Sequence, residues 1–108
     1  MLNENNPIII NITSIAAHQI FQSSSTYTVS KHSQSILSQI LRRDLSNIGI
    51  RLTEVVPGSV NSHDDPNQNI SITPNDVADL IFYLLNINSN VNINRVYLSH
   101  LKEIPFLS

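Results

Sequence analysis

The chain has 108 residues, six lysines and arginines against eight aspartates and glutamates, and a formal charge of −2. Only 13% of its residues are charged, and no basic stripe exists to track a phosphate backbone, so nucleic acid is not an expected partner. Cysteine is absent, which excludes disulfides, thiolate metal sites and cysteine nucleophiles.

In chain order, Ile8 to Ile12 reads as a buried strand, β-branched and apolar, introduced by Pro7. Ile15-Ala16-Ala17-His18 continues from its carboxyl end into a loop. Gln22 to Thr26 is polar and serine-rich, with hydroxyls suited to cap a helix. The helical pattern runs from about Ser25 to Ser46. Val29, Ile36, Leu37, Ile40, Leu41 and Leu45 recur at helical intervals, while Gln34, Gln39 and Arg43 fall largely elsewhere. Gly49 ends it.

Ile50 to Val56 is the second predicted strand, closed by Pro57-Gly58. Asn61 to Ser71 is a polar loop without periodicity. Thr73-Pro74-Asn75-Asp76 is a helix start, with Thr73 as N-cap, Pro74 at the first helical position and Asp76 facing the positive helix end. Val77, Ala78, Ile81, Phe82 and Leu85 form the expected apolar face. Asn86 to Asn92 breaks the helix, Arg95 to Ser99 reads as a third strand, and Leu101 to Ser108 as a loosely held tail.

The order strand-helix-strand-helix-strand predicts an α/β fold with a parallel sheet. Ligands bind beyond the carboxyl ends of such strands. Ser14 follows the first strand and Gly58 to Ser62 follow the second, so both segments fall at the same end of the sheet.

Tyr27 and Lys31 are four residues apart, which on a helix puts phenol and ammonium on one face. A nearby ammonium favours phenolate and pulls a tyrosine pKa below its usual value of about 10. Ser14, thirteen residues upstream of Tyr27, could share a substrate oxygen with the phenol, which would make a proton-transfer site with an orienting partner. Taken singly, each residue has a plainer reading: a surface tyrosine, a solvated lysine, a serine capping a strand end, a Pro-Gly turn. His18 stands where a substrate-facing loop would begin and reads equally as a solvated histidine. His32, His63 and His100 show no ligand spacing, and no metal site is expected.

Together, Asn11-Ile12-Thr13-Ser14, Tyr27-Thr28-Val29-Ser30-Lys31 and Pro57-Gly58-Ser59-Val60 resemble the short-chain dehydrogenase/reductase family. The resemblance implies NAD(P)-dependent hydride transfer between a nicotinamide and a small alcohol or carbonyl substrate. Tyr27 would then be the general acid and base. Lys31 would hydrogen-bond the nicotinamide ribose and lower the tyrosine pKa. Ser14 would donate to the substrate oxygen. Pro57, Gly58, Val60 and Ser62 would hold the nicotinamide carboxamide, with serine at position 62 where the family usually has threonine. Asn11 matches a structural asparagine of the family's strand. The segment Ile72 to Asp79 and Val91 to Asn94 resembles the carbonyl-reductase-like group of farnesol dehydrogenase-like and 3-hydroxy acid dehydrogenases, whose members often prefer NADP over NAD.

The Gly-rich dinucleotide turn of the family has no counterpart, since Gly49 and Gly58 are the chain's two glycines and neither lies in such a turn. Residues 1–108 are therefore expected to form a single partial Rossmann-type domain, the carboxyl-terminal half, and stand-alone activity is doubtful. The family's left-handed last crossover would put the two helices on opposite faces of the sheet. The apolar face of the first helix, residues 25–46, is expected to seek another copy or a relative, as that helix does at dimer interfaces in the family. A non-catalytic interaction domain that pairs with a full-length relative is the alternative. Met1 to Asn6 lacks the basic and apolar parts of a signal peptide, and no apolar run approaches the ~20 residues of a membrane span, so a cytoplasmic location is expected.

Overall fold

A computed structural model describes residues 7–14, 25–60 and 70–103, without the side chains of Ser25, Tyr27 and Thr28. Strand β1 (Ile8–Ile12), helix α1 (Ser25–Ser46), strand β2 (Arg51–Pro57), helix α2 (Pro74–Leu85) and strand β3 (Arg95–Leu98) follow one another. The sheet is parallel with order β1-β2-β3. Ile12 pairs with Val55, Glu54 with Arg95 and Pro57 with Leu98. The β-α-β-α-β reading therefore holds, with β2 and β3 shifted or shortened by one residue from the predicted boundaries.

Burial is centred on β2, whose residues Leu52 to Pro57 are all buried. Side chains alternate across a strand, so both faces of β2 are covered. One face, carrying Leu52, Glu54 and Val56, meets α1, where Ser35 hydrogen-bonds Glu54. The other carries Thr53 and Val55, both at 0% exposure. Asn92 extends the ladder below β3: its side chain accepts from Leu52 N at 2.9 Å and donates to Leu52 O at 3.1 Å, standing in for a strand backbone.

Three sequence expectations change. The first strand is not buried: none of Ile8–Ile12 is fully covered, and Ile9 and Ile12 are each 45% exposed. It lies at the edge of the described sheet, so only one side is paired. The inward face of α2 is also different. Leu84 is at 0% exposure with Val77, Leu80 and Ile81 half-buried, whereas Ala78, Phe82 and Leu85 are exposed. Residues Leu80 to Leu85 are apolar all round, so periodicity alone did not choose a face; the 77, 80, 81, 84 stripe packs. Finally, the tail is tied down at its start, where Glu103 N donates to His100 O at 2.9 Å.

Helix α1 inverts the usual pattern. Its covered side is polar, with Ser35 and Ser38 buried and Lys31, Gln34 and Arg42 half-buried. Its apolar residues Val29, Ile36, Leu37 and Ile40 are 55% to 64% exposed. Helix α2 starts as its sequence dictates: Thr73 caps it, Pro74 opens it, and a reciprocal capping box joins Thr73 and Asp76.

Candidate active site

The site is assembled from the carboxyl ends of β1 and β2 and the first turns of α1. Thr13 leaves β1 with its N–H donated to Val55 O at 2.9 Å, and this fixes where Ser14 begins. Ser14 is half-buried there. Because α1 follows a parallel strand back down the sheet, its first turns lie at that same rim. Gln34 makes the join, donating to Asn11 Oδ1 at 2.9 Å and to Ile12 O at 3.3 Å. Lys31, one turn nearer the helix start, donates from Nζ to Gln34 Oε1 at 3.4 Å. The ammonium and the Ser14 segment thus belong to one rim. Tyr27 lies in α1 one further turn toward the start; its side chain is outside the described residues. Ser62 and His18 also lie outside them.

Pro57 is the buried last residue of β2, paired with Leu98. Gly58 N–H donates to Leu98 O at 2.8 Å. Ser59 N–H donates to both carboxylate oxygens of Glu103 at 3.2 Å, and Ser59 O accepts from Ile72 N at 3.0 Å. The Ser59 and Ser71 hydroxyls meet at 2.7 Å. Val60 bridges Ile72 in the parallel sense, a pattern that uses the backbone groups flanking Val60 rather than its own. Among the described residues no backbone hydrogen bond uses Val60 N–H or C=O.

Beneath the rim, Glu54 is 3% exposed and pairs with Arg95 Nε at 2.9 Å. Burial pulls the Arg95 guanidinium pKa down, but the Glu54 hydrogen bond and charge outweigh it, and the net direction is up. Sequence reasoning passed over Gln34, Glu54 and Glu103. Glu54 had one available signal, an acidic residue inside the otherwise uncharged run Leu52 to Val56. The described residues hold no cluster of three metal-ligating side chains and no helix long and apolar enough to cross a membrane.

The chain has counterparts among known proteins. The family model described as short chain dehydrogenase matches residues 1–72. An uncharacterized oxidoreductase of Staphylococcus saprophyticus is 33% identical over 100 residues, covering 89% of this chain. The chain spans 43% of that relative's length. Serine dehydrogenase from Escherichia coli superposes with a TM-score of 0.78 at 26% identity, over 91% of this chain and 42% of that one. A closed form of serine dehydrogenase complexed with NADP+ reaches 0.80 at 24% identity, over 92% of this chain and 46% of that one, a likeness of fold. With the matched model spanning more than half its residues, and Asn11 to Ser14 and Pro57 to Val60 set on neighbouring strand ends, the chain belongs to the short-chain dehydrogenase/reductase family.

Proposed function

We propose that the chain carries the substrate-side part of a nicotinamide-dependent oxidoreductase site acting on a small carbonyl or alcohol. The observation that carries this reading is the Lys31–Gln34–Asn11 chain, which ties the lysine turn of α1 to the strand end that leads into Ser14. In the reductive direction the Tyr27 phenol gives its proton to the substrate oxygen. Lys31 favours the phenolate left behind. Ser14 donates a hydrogen bond to the same oxygen and stabilises charge developing there. Pro57, Gly58, Val60 and Ser62 hold the carboxamide, with the Val60 backbone supplying donor and acceptor. A bound nicotinamide supplies or takes up the hydride. NADP is favoured over NAD on the subgroup resemblance, and a serine dehydrogenase of the same fold is complexed with NADP+.

The test is carbonyl-dependent oxidation of NADPH, and of NADH, by the chain alone and by the chain mixed with the amino-terminal part of the Staphylococcus saprophyticus relative. Activity that disappears in Tyr27→Phe supports the reading. Activity unchanged by Tyr27→Phe, or none under either condition, defeats it.

A second reading has its own support. The exposed stripe Val29, Ile36, Leu37 and Ile40 is the kind of surface that pairs helices between chains, which favours an interaction domain binding another copy or a full-length relative. Light scattering on the purified chain, with and without such a relative, tests it; a monomer in both conditions counts against it.

A further inference from the structure

Glu54 is the one acidic side chain buried among the described residues. Removing a carboxylate from water is costly, and replacing a whole buried ion pair by apolar residues is often neutral or stabilising. What an apolar residue cannot supply is direction. The Glu54 carboxylate accepts directed hydrogen bonds from three separate parts of the chain: Thr13 Oγ1 to Oε2 at 2.8 Å, Ser35 Oγ to Oε1 at 3.1 Å, and Arg95 Nε to Oε1 at 2.9 Å. Thr13 immediately precedes Ser14. Ser35 lies one turn beyond Lys31 and two beyond Tyr27, on the same helix face. Arg95 comes from β3, opposite Glu54 in the strand register, and balances its charge. The two donors that matter for the rim therefore sit beside Ser14 and on the Tyr27–Lys31 face. They are held on one rigid group in the central strand.

We propose that Glu54 is a positioning residue: by binding Thr13 and Ser35 at once, its carboxylate sets the placement of Ser14 relative to the Tyr27–Lys31 face of α1. This rests on the reading under Proposed function. Gln34 supports the same joint from the side through Asn11, while Glu54 grips the Thr13 segment and α1 from beneath.

The chain itself can be tested with isotope-labelled tyrosine, following each phenol through its titration by nuclear magnetic resonance. The chain has three tyrosines, Tyr27, Tyr83 and Tyr97, assignable by single phenylalanine substitutions. In the wild type Tyr27 is expected to ionise at lower pH than the exposed Tyr83. In Glu54→Gln the loss of a negative charge by itself lowers the Tyr27 midpoint, so a rise of about half a unit or more, from a Ser14 hydroxyl no longer held beside the phenolate, reports the lost placement; Tyr97, which hydrogen-bonds Arg95, is not used as a reference. Ser35→Ala, which removes only the helix tie and leaves the Glu54–Arg95 pair, gives part of the same rise and serves if Glu54→Gln does not fold. Leu84→Val is the control, a core truncation away from the joint, and leaves Tyr27 unmoved. A wild-type Tyr27 titrating like Tyr83 overturns the catalytic reading and the positioning role with it. A low wild-type midpoint that neither Glu54→Gln nor Ser35→Ala moves overturns the positioning role alone. An equal rise in Leu84→Val also overturns it, since general loosening then suffices.

Discussion

The Gln34 side-chain amide donates to Asn11 Oδ1 at 2.9 Å, joining α1 to β1 across 23 residues of sequence. Lys31 leans on the other end of that amide through Gln34 Oε1. Gln34→Ala is expected to lower unfolding stability by about 1 kcal/mol, the usual net worth of a hydrogen bond. Asn11→Ala should cost about the same, and the double variant distinctly less than the two added together. Urea unfolding of the four proteins measures this; strict additivity would mean the bond contributes nothing.

Gly58 sits against a carboxylate. A Cβ added there would lie 2.6 Å from Glu103 Oε1, closer than such contacts are found. The obstacle is the far end of a flexible side chain, so Glu103 can swing aside, but only by giving up both hydrogen bonds from Ser59 N–H. Gly58→Ala should therefore destabilise by about 1 kcal/mol. In a Glu103→Ala background the same substitution should be neutral or slightly stabilising, because alanine narrows the unfolded ensemble. Thermal unfolding of both pairs decides the matter, and an equal loss in both backgrounds would sink it.

The capping box at the start of α2 is pH-sensitive. The hydrogen bond from Thr73 N–H, then that from the Thr73 hydroxyl, holds the Asp76 carboxyl below its ordinary value of 3.8. A carboxyl lowered on folding stabilises the fold above its unfolded pKa, and that contribution is lost as pH falls through the folded value. Asp76→Asn should thus lower the melting temperature at neutral pH, with the gap closing below pH 3.8. Thr73→Ala removes the cap itself and should cost about 1 kcal/mol. A gap that persists undiminished in acid would contradict the assignment.

Ile36 and Ile40 are 59% and 58% exposed, on the side of α1 away from the sheet. Replacing both with lysine should change the stability of a single chain by no more than about 0.5 kcal/mol each, as expected for surface sites. If the apolar stripe pairs chains, the same double variant should convert an associated species to a monomer, read by light scattering across a concentration series. Association unchanged by the substitutions would place the interface elsewhere.

The five elements were legible in the sequence because each rests on local signals. Pro7 and a β-branched run opened β1, Gly49 closed α1, Pro57-Gly58 ended β2, and Thr73-Pro74-x-Asp76 started α2. The motif spacing likewise led to the family and to a common rim for Ser14 and Pro57 to Val60. Burial was a different matter. Ile9 and Ile12 are as apolar as any core residue, yet their exposure is a property of the sheet edge. The periodic reading put Phe82 on the inward face and left Leu84 out, and only contact with the rest of the fold buried Leu84 and left Phe82 70% exposed.

The hydrogen-bonded joint under the rim is the clearest case of what tertiary structure alone decided. Thr13, Gln34, Ser35, Glu54 and Arg95 have no spacing in common, and Thr13 and Arg95 lie at nearly opposite ends of the described chain. Turn chemistry, capping and periodicity act over a few residues, so sequence could determine the kind and order of the elements. Which polar side chains would share one buried carboxylate depends on strand register and on how α1 lies across β2, and those are settled only when the sheet has formed.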